Sequence, residues 1–295
     1  MNNIKVCILG SDGYVCQIPR IKEGMEALGH TLTENSPDLI YSNDPRGYVK
    51  ALELKKKYPN AYLIFNILDI PWHLSTTIKQ QTKQLVDHFL SKADVITAIS
   101  FKVKRDLSEF VNKDIHVIYN PTKDVYYDSN IQKNNMFLYV GRANDPIKRI
   151  NLVHDSLKKI ENGMKNIKIC GTENPGFGNY LGIVSDKKLN ELYNSTKYLF
   201  LTSKAEGIGL TMIEAMICGA VPITCSDNET AKEFLPSEFI CEPNIESIVN
   251  KIEEINKKYN TYRELALTLG KKYKDKFNKV SIAKNILSLK NNNKN

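Results

Sequence analysis

Short apolar runs alternate with helical patterns along almost the whole chain. Runs rich in β-branched and aromatic residues fall at 4–9, 38–42, 61–66, 94–99 and 115–119. Between them, apolar positions recur at helical spacing over about 17–28, 46–57, 75–91 and 101–111. Strands that alternate with helices predict βαβ crossovers and a parallel sheet, because parallel neighbours need a long return connection. The nearly unbroken apolar stretch 4–9 fits a strand covered on both faces. The pattern breaks at Asn120-Pro121 and stays polar to Asn135, which predicts a linker. It restarts with strands over 136–140, 166–170, 197–202 and 220–225 and helices over 148–161, 186–195 and 210–218. A short strand at 239–241 precedes a helical end. The expected fold is α/β: two tandem doubly wound Rossmann-like domains facing across a ligand cleft.

Composition narrows the class of protein. With 295 residues and 42% of them hydrophobic, the chain can fill two cores and is too apolar for disorder. Its net charge of +8 is local: Lys251–Asn295 holds 12 basic against 4 acidic residues, and the rest is neutral. A nucleic-acid partner is therefore not expected. The tail lysines read as a solvated cationic face in preference to a peripheral membrane contact. No run of about 18 apolar residues predicts a spanning helix, and MNNIKVCILG reads as a strand rather than a secretory signal. Cys7, Cys16, Cys170, Cys218, Cys225 and Cys241 are scattered without a C-x-x-C pair. That predicts a reducing compartment and core packing rather than a disulfide framework or zinc site. The expected location is cytoplasmic, extending to the inner membrane surface.

Three places carry candidate chemistry. Gly10 opens the turn Gly10-Ser11-Asp12-Gly13 after the first strand, where a tight turn and close backbone approach to a ligand explain it equally well. Gly141-Arg142 follows a strand, with Lys148 six residues on. A planar fork and a compact charge suit a diphosphate, although two surface charges would account for them in isolation. The most informative stretch is Glu206-Gly207-Ile208-Gly209-Leu210-Thr211-Met212-Ile213-Glu214. Its glycines expose backbone amides just before a helix, and the first amides of a helix have no internal partner and favour negative charge. Glu214, one turn into that helix, can accept hydrogen bonds from vicinal hydroxyls such as a ribose presents. Gly219 predicts the helix end.

With those residues in view, the chain over 137–233 resembles the donor-binding half of retaining glycosyltransferases of the GT-B fold, family four (glycosyl transferases group 1). The resemblance rests on Phe137-Leu-Tyr-Val-Gly-Arg142 with Lys148, Gly182-Ile-Val-Ser-Asp186 with Leu189 and Tyr193, and the two-glutamate block. Ala93–Ser100 and Ile115–Asn120 resemble the family's last N-domain strands. It implies an acceptor-side domain over 1–125, a donor domain over 126–276, and a final helix, about 277–290, that rejoins the first domain. Phe277, Val280, Ala283 and Leu287 would then be buried there.

The resemblance further implies that Arg142 and Lys148 hold the donor diphosphate and that Glu206 meets the sugar near the reacting face. Glu214 would bind ribose, Ile183 and Val184 the nucleobase, and Gly207, Ile208, Gly209, Leu210 and Thr211 sugar and phosphate. Gly171 would line the donor pocket, and Gly10 and Gly141, singled out above from the residues themselves, are further donor-binding candidates. Asp69 stands where the family has a His-Asp step, here Leu68-Asp69, with His73 as a substitute. The family's Lys-Gly step reads Lys148-Arg149. There is no D-x-D triplet, so neither a metal nor a separate cofactor is expected. The implied activity is retaining, metal-independent transfer from a nucleotide-diphosphate-sugar to a glycan, lipid-linked or small-molecule acceptor. A nucleotide-sugar epimerase and a non-catalytic nucleotide-sugar-binding protein are the alternatives.

Overall fold

The computed structural model describes residues 3–10, 17–69, 80, 83–84, 86–133 and 137–292. Ser11, Asp12, Gly13, Cys16 and His73 lie outside the described residues, as does much of the helix expected at 75–91. Two compact units emerge, Met1–Pro121 with Lys276–Asn295, and Thr122–Asp275.

The first unit carries a six-stranded sheet of β1 (Lys5–Leu9), β2 (Thr31–Leu32), β3 (Leu39–Ser42), β4 (Tyr62–Ile67), β5 (Val95–Ala98) and β6 (Ile115–Val117). The order is β2-β1-β3-β4-β5-β6, all parallel. Helices α1 (Ile18–Ala27), α2 (Pro45–Lys57) and α3 (Phe101–Ser108) connect them. Asp44 and Ser100 supply side-chain caps, accepting from the amides of Arg46 at 2.6 Å and Val103 at 3.2 Å. Consecutive residues of β3 and β4 are buried, Leu39, Ile40 and Tyr41 beside Leu63, Ile64 and Phe65. Both faces of the sheet are therefore covered, which explains strands that do not alternate with polar residues.

The second unit repeats the architecture with β7 (Phe137–Val140), β8 (Ile167–Cys170), β9 (Asn179–Gly182), β10 (Tyr198–Leu201), β11 (Val221–Cys225) and β12 (Ile240–Cys241). Its helices are α4 (Ile150–Leu157), α5 (Asp186–Ser195), α6 (Leu210–Ile217), α7 (Glu229–Phe234), α8 (Ile245–Lys257) and α9 (Tyr259–Lys276). The parallel order β12-β11-β10-β7-β8-β9 reverses direction between β7 and β10. In open α/β sheets, ligands bind beyond the carboxyl ends of the strands at such a reversal. The last helix, α10 (Lys279–Asn292), belongs to the first unit and packs on α1. Ile282, Ala283, Ile286 and Leu287 are buried there, as is Phe277, with its ring 4.7 Å from Tyr119. Val280 is only half-buried, because Ile282 and Ile286 take up the inner positions. No helix among the described residues is long and apolar enough to cross a membrane.

Three details differ from the sequence expectation. The polar segment after Pro121 is pinned to the second unit rather than loose. Asn190 and Asn194, one turn apart on α5, accept from the amides of Tyr127 at 3.3 Å and Ser129 at 2.8 Å. The helix expected from residue 148 starts at Ile150. Pro146–Lys148 forms a tight turn capped by Asp145, and Arg149 breaks the spiral with φ 51°. Lys148 therefore sits ahead of α4. Finally, β2, β9 and α7 are present without having been expected from the apolar pattern.

Candidate functional site

The carboxyl ends of β7, β8 and β10 bring most of the second-unit candidates to one edge of that sheet. Gly141 donates its amide to the Cys170 carbonyl at 2.9 Å, and Gly171 donates to the Gly182 carbonyl at 3.1 Å. These three glycines thus sit side by side where β7, β8 and β9 end. Beyond Gly182, Ile183 is 59% exposed and Val184 half-buried, ahead of the Ser185 cap of α5.

The central contact joins the turn after β7 to the loop after β10. Lys148 Nζ donates to Glu206 Oε1 at 2.7 Å, with the two side chains only 19% and 13% exposed. Ser203 Oγ donates to the same oxygen at 2.6 Å. Glu206 is therefore oriented by a cation and a hydroxyl, and the Thr230 hydroxyl holds its carbonyl at 2.5 Å. Arg142 stands apart from this pair. Its Nη2 donates to Asp145 at 2.7 Å while the side chain remains 64% exposed.

Gly207 is half-buried, and Ile208 and Gly209 are buried. Gly209 begins α6 with φ 71°, a backbone that glycine adopts without steric cost. It has no side chain to cap the helix, so the amides of Leu210 and Thr211 lie at an end that favours an anion. Glu214 lies on the buried side of α6, 6% exposed, and accepts from the Tyr193 hydroxyl at 3.4 Å. Burial, followed by the Glu214 charge, pushes the Tyr193 phenol up. Tyr139, on β7, has a buried hydroxyl without a hydrogen-bond partner among the described residues. Its phenol is also pushed up, first by burial and then by the Glu206 carboxylate.

The two first-unit candidates have different surroundings. Gly10 follows β1 with φ 151°, a backbone that residues with a side chain rarely adopt, and a Cβ there would fall 2.4 Å from Asn43 Oδ1, so local structure favours glycine independently of any ligand. Asp69 is exposed, two residues past β4. Sequence reasoning missed Ser203, Asp145 and Asp227. They lack a motif of their own and matter through contacts with Glu206, Arg142 and Arg149. Cys7, Cys170, Cys218, Cys225 and Cys241 are buried free thiols, with Cys7 and Cys170 pushed up to about 11 by burial.

Chemically, this edge offers an exposed guanidinium, an ammonium beside a carboxylate, and an uncapped helix start. That combination suits a phosphate-bearing ligand with a polyhydroxyl group. Comparison with known proteins agrees with that class. O-antigen chain mannosyltransferase B from Escherichia coli is 31% identical over 96 residues, which is 32% of this chain and 25% of that protein. Among solved structures, HepE from Anabaena, crystallised with UDP and glucose, superposes with a TM-score of 0.77 at 17% identity, covering 97% of this chain and 99% of HepE. Sucrose-phosphate synthase from Thermosynechococcus elongatus gives 0.80 at 15% identity, covering 97% and 98%. These two likenesses establish the GT-B fold. The family model for glycosyl transferases group 1 matches residues 128–272. The second unit, which contains every one of those residues, is a glycosyl transferases group 1 domain.

Proposed function

We propose that the protein transfers a sugar from a nucleotide-diphosphate-sugar to an acceptor hydroxyl, with retention at the anomeric carbon and without a metal. The observation that carries this reading is the Lys148–Glu206 pair at 2.7 Å beside the glycine-bounded start of α6. The bond from the anomeric carbon to the phosphate oxygen breaks, and negative charge grows on the departing diphosphate. Arg142, Lys148 and the amides of α6 neutralise it. Fixed charges and dipoles aimed at developing charge can supply several kcal/mol of transition-state stabilisation. Lys148 passes from Glu206 to the phosphate as the donor binds. The released Glu206 then orients the sugar hydroxyls and offsets positive charge at the anomeric carbon. The acceptor oxygen bonds that carbon on the face the phosphate leaves, and its proton goes to the departing phosphate oxygen. Glu214 receives the ribose hydroxyls, and backbone around Ile183 and Val184 meets the base. Gly10 keeps its expected place at the donor, and Asp69 is assigned to the acceptor-side half of the reaction.

The test is incubation with a panel of nucleotide-sugars and simple acceptors, following nucleoside diphosphate release and the anomeric configuration of the product. Release with retention supports the proposal. Epimerised donor without release identifies an epimerase, and binding alone a sugar-nucleotide receptor. A chelator should leave the rate unchanged, while Arg142→Ala should lower it by roughly a hundredfold or more. Loss on chelation, restored by magnesium or manganese, overturns metal independence.

A further inference from the structure

Arg149 follows Lys148 and occupies the left-handed region, φ 51° and ψ 45°. A residue with a Cβ adopts that conformation at a cost, whereas glycine adopts it freely. The side chain is firmly anchored. Nε donates to the Thr202 carbonyl at 2.6 Å, and Nη1 and Nη2 donate to the two carboxylate oxygens of Asp227 at 2.7 and 2.8 Å. This two-pronged geometry fixes a guanidinium in direction as well as distance. Thr202 Oγ1 in turn shares its proton between the carbonyls of Lys148, at 3.1 Å, and Arg149, at 3.4 Å. The Lys204 amide donates to the Ile147 carbonyl at 2.8 Å. Asp227 stands between β11 and α7, and α7 carries the Thr230 hydroxyl that holds the Glu206 carbonyl. One guanidinium therefore ties together the loops that follow β7, β10 and β11.

We propose that Arg149 is a positioning residue: by clamping these loops and its own strained backbone, it fixes the peptide from which Lys148 reaches Glu206. The inference rests on the reading of Lys148 as the phosphate-holding cation. A lysine has four rotatable side-chain bonds, so its ammonium is only as well placed as the backbone beneath it. The fork of Arg149 is occupied by Asp227, so its contribution passes through Lys148 instead of through direct contact with phosphate. Arg149→Gly is the informative variant, because it keeps the left-handed backbone at no cost and removes only the clamp.

Binding of UDP, GDP and ADP to the full chain is measured by calorimetry, and the tightest binder is then used. The variants are Lys148→Met, Arg149→Gly, the double variant, Arg149→Lys and Asp227→Asn, each checked for folding by circular dichroism. Arg149→Gly should weaken binding roughly tenfold in the wild-type background and less than about twofold in Lys148→Met, the signature of two coupled positions. Arg149→Lys, which keeps the charge but loses the fork, should weaken binding like Arg149→Gly. An equal loss in both backgrounds, or no loss, overturns the inference. If Arg149→Gly does not fold, Asp227→Asn carries the same cycle. Unchanged binding in Lys148→Met alone overturns the phosphate reading, and this inference with it; that comparison does not involve Arg149.

Discussion

Glu214→Gln keeps the shape of the side chain on α6 and removes its charge. Charge-assisted hydrogen bonds contribute about 1.5–3 kcal/mol, so nucleoside diphosphate affinity should fall about tenfold or more. Calorimetric titration checks it, and unchanged affinity would take Glu214 out of the donor site. The same substitution at Glu206 should leave diphosphate affinity nearly intact and depress turnover, because its assigned partner is the sugar. Both glutamates stood out in the sequence through their spacing around Gly207 and Gly209. What spacing could not reveal is that Lys148, far away along the chain, donates to Glu206. Nor could it show that Arg149 turns away to Asp227. Such contacts depend on which loops the sheet order brings together, and single residues carry no mark of it.

At the scale of elements, the apolar runs disclosed the buried strands, because both faces of each sheet are covered. They failed for β9, whose Asn179-Tyr-Leu-Gly182 is edge-placed and only partly buried, and for the six-residue α7. They failed also for the segment after Pro121, which is held by polar bonds. Asn194→Ala removes the acceptor for the Ser129 amide and hydroxyl and the donor to the Tyr127 carbonyl. Leaving such groups unmatched should cost about 1–3 kcal/mol in urea unfolding. Lys133, in the same segment, is buried and donates to the carbonyls of Tyr193, Asn194 and Cys218 at 3.1, 2.9 and 2.8 Å. It therefore ties the ends of α5 and α6. Burial, and next the Arg263 charge, lower its ammonium from 10.5 to about 8. Between those pH values the unfolded chain binds more protons at this residue than the folded one, so its contribution to stability rises with pH. Urea midpoints of wild type minus Lys133→Met should be flat below pH 8 and climb toward pH 10.5. A difference that stays level throughout would mean that the three carbonyls keep the ammonium charged.

For the molecule as a whole, the first unit is assembled from both ends of the chain. Ile286→Ala, on the inner side of α10, should destabilise that unit by about 2–5 kcal/mol, as large-to-small core changes do. Nucleotide binding by the second unit should survive at temperatures where the first has begun to melt, a separation that calorimetric scans with and without ligand would reveal. The seam between α1 and α10 is tight enough that a Cβ on Gly24 would fall 2.3 Å from the Lys279 carbonyl oxygen. In the cell this sets an order of events. Chains grow at about 5–20 residues per second, so α1 emerges from the ribosome tens of seconds before the helix that covers it. Throughout that interval the face of α1 around Gly24 lacks the cover that Lys279 and Ala283 give it, while the second unit has all of its own residues sooner. Of the two units, the one begun first is therefore the one finished last, and a nascent chain stalled short of residue 279 would present that uncovered face to whatever chaperone waits at the exit.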